Sequence, residues 1–221
     1  MTGDDITSSD STELERDARE ELDPELLGLP DPPKKERTMT VVLMAVTALA
    51  SAAMIAALAR DAAYAFASPS AADLGDLRTA PAASLADNKL ARANGMLGAA
   101  GAIRYERPFD HDTYRVSPIA GRPDVWVEVR VPAGEENARY VPPTSFAGRL
   151  VSFDHAGQRH RGLAGSIADA TGQPVPPGSW LLVDGESPTH ARWAVALMAL
   201  FAAFALWNLA TIARLLRKVK E

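Results

Sequence analysis

The chain has 221 residues, 47% of them hydrophobic and 6% aromatic, with a formal net charge of −5 and no cysteine. The missing thiol excludes disulfides, thiolate catalysis, zinc–thiolate sites and cysteine-ligated iron–sulfur clusters. Residues 1–37 hold 12 acidic and 5 basic side chains, residues 60–192 hold 15 and 14, and residues 214–221 hold 1 and 4, so the near-neutral middle offers no electrostatic footprint for nucleic acid.

Residues 1–37 read as an acidic, disordered cytoplasmic tail. Thr2 to Thr12 carries Ile6 as its one apolar residue and cannot bury enough surface to fold. Thr12 as N-cap with Glu15 three residues on predicts a short helix over Glu13–Leu22, and Pro24, Pro30, Pro32 and Pro33 stop anything longer. Leu22, Leu26, Leu27 and Leu29 form either a docking peptide for a cytoplasmic partner or a tether with incidental leucines. The second is preferred, since scattered apolar residues need no special explanation.

Residues 38–60 read as a first transmembrane helix. Met39–Ala59 is an uncharged run of 21 residues, enough to cross a hydrocarbon core of roughly 30 Å. Ala65-Phe66-Ala67 before Ser68 matches a signal-cleavage pattern. The apolar run is longer than a signal h-region and the leader is acidic, so an uncleaved anchor is the expectation. Ala48, Ala52 and Ala56 form a small-residue stripe suited to close helix approach.

Residues 61–94 read as a linker with a short helix. Helix continues from Arg60 to Phe66, Pro69 breaks it, residues 67–83 are linker, and Ser84–Ala93 is a helix candidate ended by Asn94-Gly95. Residues 95–190 read as an extracytoplasmic β-rich domain. Ile103 and Tyr105, then Tyr114 and Val116, fall in short runs between turn residues. Asp124–Val131 alternates valines with Trp126, Glu128 and Arg130, which predicts a half-buried strand with the valine face inward. Phe146–Phe153 is a second strand, followed by a hairpin turn at Asp154–Gly157. Leu163–Ala170 is a short helix stopped by Thr171-Gly172, and Trp180–Val183 is the last strand.

Residues 191–213 read as the second transmembrane helix, with Trp193 and Trp207 suited to the two interfaces. Ala199 and Ala203 offer a second small-residue stripe, expected to pack on Ala48, Ala52 and Ala56, with Asn208 facing protein. Residues 214–221 are a basic cytoplasmic tail. Lys34, Lys35 and Arg37 before the first span, and Arg214, Arg217, Lys218 and Lys220 after the second, place both termini in the cytoplasm. Composition rich in Ala, Arg, Pro and Gly points to a bacterial source. The expected location is therefore the bacterial inner membrane, with the central domain periplasmic. The expected fold class is membrane α+β: two transmembrane helices flanking a small barrel or curled antiparallel sheet.

No motif names a reaction. His111, His155, His160 and His190 match no established metal-ligand spacing, and the arginines flanking His160 oppose a cation, so all four are expected to be surface loop residues. Ser145 or Ser166 with a histidine and an aspartate makes a triad only on paper, since no nucleophile elbow is present. Asp184 and Glu186 read as turn and solvent residues. Arg104, Arg107, Arg115 and Arg122 offer either an anion-binding face or solvated strand positions, and the interspersed Glu106, Asp110 and Asp112 favour the second. No catalytic residue, cofactor or metal is expected.

Two spans around an external β-rich domain, with tryptophans in the second span, resemble in layout the Surfeit-type cytochrome-oxidase assembly factors, although Arg60–Tyr64 lacks that family's motifs. Ser117–Pro123 followed by Val125–Val129 resembles a stretch of the membrane-flanked domain of mitochondrial ubiquitin-ligase relatives, without their RING cysteines. Both resemblances imply a membrane scaffold or assembly role. The expectation is a scaffold whose external domain binds or positions a partner at the membrane: membrane lipid, a membrane protein or a second copy, and not nucleic acid. The alternatives are an assembly or quality-control factor for a respiratory or envelope complex, and a membrane-tethered enzyme of unrecognised type.

Overall fold

The computed structural model describes residues 34–107, 112–132 and 141–217. The expected helix over Glu13–Leu22, the leucine cluster and His111 lie outside them. By contacts the chain divides into two units. One, Ala48–Trp207, holds the sheet and the adjoining parts of two long helices. The other comprises the segments up to Thr47 and from Asn208 onward, which continue those helices.

The elements run α1 (Lys34–Ala65), β1 (Ala72–Asp76), β2 (Lys89–Asn94), β3 (Ile103–Glu106), β4 (Thr113–Ile119), β5 (Arg122–Val131), β6 (Ser145–Ser152), α2 (Leu163–Thr171), β7 (Trp180–Asp184) and α3 (Arg192–Leu216), with short 3-10 turns between. The helices α1 and α3 are long and apolar enough to cross a membrane. The strands form one mixed seven-stranded sheet in the order β1-β2-β6-β7-β5-β4-β3. It is neither a closed barrel nor purely antiparallel, because β1–β2 and β5–β7 pair in parallel. The parallel pair arises because β6 and α2 intervene between β5 and β7, and β7 then inserts between β5 and β6. Parallel neighbours need such a crossover, which local periodicity does not reveal.

Two local expectations fail. Ser84–Ala93 is not a helix; Ala82–Ser84 is one 3-10 turn and Lys89–Asn94 is strand β2, paired throughout with β6. The segment expected as linker also contributes β1. Sheet pairing overrides modest helix propensity here. The turn at Asp154–Gly157 is not a hairpin: two 3-10 turns lead instead to α2.

The strand β5 is buried on both faces, not one. Val125, Val127 and Val129 join Phe146, Leu150 and Leu182 in one core. Trp126 joins Val116, Val151, Leu181 and the α2 residues Leu163 and Ile167 in a second. Fully burying such side chains stabilises by about 1.5–3 kcal/mol each. On the same face Tyr105, Arg107 and His160 enclose Glu128, between Trp126 and Arg130, at 1% exposure. Gly148 of β6 is required by space: a Cβ there would lie 1.8 Å from the Val183 carbonyl oxygen.

The helices α1 and α3 meet through Leu58, Ala62 and Ala194, with Val195, Leu197, Met198 and Phe201 packed around them. Of the expected stripes Ala48 is buried, but Ala52, Ala56, Ala199 and Ala203 are exposed, so the stripes as a whole do not form this contact. Buried Ser51 and Leu58 and half-buried Ile55 lie on the α1 face that also carries buried Ala62, at alternating spacings of four and three. That is the seam periodicity of a helix pair. The rotation of α1 is fixed at its sheet end, as described next.

Candidate functional site

Two charged clusters occupy one face of the sheet. Their central residues lie in one row, because Glu128 of β5 and Arg149 of β6 both register with Val183 of β7.

The first cluster surrounds Glu128. Its Oε2 accepts from the Tyr105 hydroxyl at 2.6 Å and lies 3.0 Å from His160 Nε2, and its Oε1 accepts from Arg107. An ionised carboxylate only accepts, so His160 Nε2 carries the hydrogen. The Arg107 guanidinium lies 3.6 Å from the Tyr114 ring centroid and 5.6 Å from that of Tyr105, a cation–π placement. Burial pushes the Glu128 carboxyl upward, but the hydrogen bond and pull of His160, with Arg107 and Tyr105, outweigh it and hold it below the usual carboxylate range. Burial and the Glu128 charge push the Tyr105 phenol up. With its oxygens engaged by three donors, Glu128 is a structural anion and is not poised as a general base.

The second cluster fastens α1 to the sheet. Arg149, 5% exposed, donates to Asp61 at 2.7 Å, Asn88 at 2.8 Å and Glu186 at 3.3 Å. It also lies over the Tyr64 ring at 4.6 Å. Tyr64, wholly buried, donates to the Glu186 carbonyl at 2.7 Å. Arg60 binds both oxygens of Asp87, at 2.9 and 2.7 Å, and its carbonyl accepts from Asn88. Asn88 adopts φ 61°, a left-handed conformation that Asn tolerates better than most residues. The last turns of α1, the start of β2, the middle of β6 and the loop after β7 therefore converge on one guanidinium. Multiple charge-assisted bonds to a planar donor fix orientation as well as distance.

A cavity of about 350 Å³ opens beside both clusters, where β5 and β7 end and α3 begins. Its lining includes Tyr114, Glu128, Arg130, Arg159, Glu186 and Trp193. Arg130 is ion-paired to Asp112, and Arg159 lies 3.6 Å from Glu186. A larger cleft of about 500 Å³ lies at the β1–β2 end of the sheet, around Asp76, Asn94 and Thr144, away from both clusters.

The residues singled out in the sequence scatter across this frame. His160 is buried against Glu128, contrary to the expectation of a surface residue, while His155 and His190 are exposed. Among the described residues no group of His, Asp and Glu is arranged to hold a metal ion. Ser145 and Ser166 are exposed, on β6 and α2 respectively. Arg107 is spent on Glu128, Arg115 donates to Ser117, and Arg122 donates to the Leu77 and Ala80 carbonyls, so they do not converge as an anion-binding face; nor are Arg107 and Arg122 solvated as expected, at 12% and 13% side-chain exposure. Asp184 is not a turn residue but the last residue of β7, paired with Gly148, and it accepts from the Ala147 N–H at 2.9 Å. Burial pushes its carboxyl up despite the N–H donors of Ala147 and Gly185. Glu186 is not a solvent residue, at 12% side-chain exposure beside Arg149.

Reading of the sequence alone missed Arg149, Asp61, Tyr64 and Asn88. The available signal was a lone arginine inside the otherwise apolar or small strand Phe146–Ser152; a charge in a buried strand demands partners. Comparison with known proteins adds nothing to this geometry: no protein-family model, no curated protein and no solved structure matches the chain.

Proposed function

We propose that this chain is an integral membrane protein of two spans with cytoplasmic termini, and that its external domain acts as a scaffold holding a membrane-protein partner in a fixed orientation. The observation that carries this reading is the clamp on Arg149. A domain that needed only tethering would be served by a flexible linker. Here the sheet is instead locked to the end of α1 and to the loop entering α3, so that domain and helix ends move as one body. Lipid contact is supported by the exposure of the apolar stretches of α1 and α3, of which only 17% and 6% are buried. Leu49, Leu200 and Phe204 lie on those exposed surfaces. Apolar area of this extent calls for a covering phase.

Topology is tested by alkaline-phosphatase fusions, active after Val131 and inactive after Glu221; the reverse pattern overturns it. The scaffold role is tested by photo-crosslinking in native membranes from a benzoylphenylalanine placed at Leu200. A discrete adduct with one membrane protein is expected, and Arg149→Ala should weaken it several-fold while membrane insertion persists. A smear without a discrete product, or an adduct indifferent to Arg149→Ala, counts against the fixed-orientation scaffold.

A further inference from the structure

The polar cavity continues into an apolar one. A second cavity of about 380 Å³ is lined by Met54, Ala57, Leu58, Asp61 and Ala191, and it shares Arg159, Glu186 and Trp193 with the first. One end of the combined site is thus made of guanidinium, carboxylate and aromatic groups. The other runs down between the sheet-side ends of α1 and α3 on methyl and methylene groups.

We propose that this composite site binds one membrane glycerophospholipid, its phosphate against Arg159 at the mouth of the polar cavity and one acyl chain along Met54, Ala57 and Leu58. The inference rests on the two-span reading above. The level is right for a headgroup: Arg60, Asp61 and Arg192 are the first charges beyond the apolar runs. The sign is right for a phosphate. The four carboxylates that line the site are each engaged by the protein: Glu128 by its three donors, Glu186 and Asp61 by Arg149, and Asp184 by the Ala147 N–H. Arg159, 44% exposed and held at the mouth by Glu186 at 3.6 Å, and the exposed His190 present donors to it. A guanidinium recognises phosphate oxygens by paired N–H donors. Trp193 stands where the two cavities meet and is 56% exposed, the depth at which an indole suits the boundary between headgroup and chain.

The test is native mass spectrometry of the full chain in mild detergent, titrated separately with dioleoylphosphatidylglycerol, dioleoylglycerol and glycerol phosphate. The phospholipid should be retained one to one, and the tail-only and head-only probes should bind at least tenfold more weakly. Arg159→Ala should weaken phospholipid retention roughly tenfold, the scale of one charge-assisted contact. Ala57→Trp, which fills the apolar cavity, should abolish it with the sheet still folded by circular dichroism. Equal binding of glycerol phosphate, equal binding of dioleoylglycerol, or retention unchanged in both variants overturns the proposal. Carbonate extraction separates the two levels. Chain that stays in the membrane but retains no phospholipid refutes this site alone, whereas chain released by carbonate refutes the two-span reading and this inference with it.

Discussion

Replacing Glu128 by glutamine removes one charge and almost no volume, and it isolates the energetics of the buried cluster. In the native chain Arg107 and His160 are 12% and 5% exposed on their side chains, so neither recovers solvation when its anion is lost. Glutamine retains one carbonyl oxygen at the position shared by Tyr105 and His160, but its amide presents donors where Arg107 also donates. Removing one partner from a buried pair costs about 3–5 kcal/mol, far more than the net worth of the intact pair, because the remaining charge is left uncompensated. A loss of that size accelerates hydrogen exchange through global opening by roughly a hundredfold or more, at about 1.4 kcal/mol per factor of ten. The β5 and β7 amides of the full chain in detergent report it directly, free of any signal from the long helices. The pH dependence supplies a second check. The Glu128 carboxyl is held below its ordinary value, so its stabilisation is complete above the unfolded carboxylate range and is lost as pH falls through the folded value. The gap between parent and Glu128→Gln should be widest near neutrality and close in acid. Removing the second charge in the Glu128→Met, Arg107→Met pair should recover part of the loss seen in Glu128→Met alone. A Glu128→Gln chain exchanging within threefold of the parent at neutral pH would refute the cluster as an energetic unit.

Two further outcomes follow from the geometry. Asp184 has the opposite sign: its carboxyl is pushed up by burial, so its ionised form burdens the folded state above that raised value and the burden is relieved as pH falls. Asp184→Asn, which keeps an acceptor for the Ala147 N–H, should remove that relief, so that denaturant stability falls more steeply toward acid than in the parent; a slope equal to the parent's would contradict the assignment. Cysteines introduced at Ala62 and Ala194, both in the helix contact, should be joined within one chain by a short bis-maleimide, whereas cysteines at Ala52 and Ala203, both exposed, should not; the reverse result would restore the small-residue stripes as the packing face.

What the sequence made legible was whatever is decided locally. The two apolar helices are visible in uncharged runs, α2 in its Thr171-Gly172 stop, and β5, β6 and β7 in branched and apolar runs bounded by turns. The half-buried pattern read for β5 failed for a tertiary reason: alternation of valine with Trp126 and Glu128 marks two faces but not what covers each. The strand β2 failed because Lys89–Asn94 has no strong preference of its own and takes its conformation from pairing with β6. The alanine stripes failed because helix rotation is imposed from outside the helix. Arg60, Asp61 and Tyr64 all sit within about one turn of α1 and all bind the sheet or its loops, and that places Leu58 and Ala62, rather than Ala52 and Ala56, toward α3.

The late position of β7 in the chain explains why the site is assembled where it is. β7 follows both β5 and β6 in the chain and lies between them in the sheet, with Val183 between Glu128 and Arg149. The chain then passes through Asp184, Gly185 and Glu186 and one 3-10 turn, Pro188–Ala191, into α3. Glu186 is held through both its carboxylate, by Arg149, and its carbonyl, by Tyr64. A tilt of the sheet-side end of α3 therefore strains the clamp on α1 and, through three residues of β7, the row containing Glu128. Buried polar networks of this kind have two discrete arrangements, made or broken, rather than a graded response. Arg149, which joins Asp61, Asn88 and Glu186, is therefore the residue at which the rigidity of this junction is set.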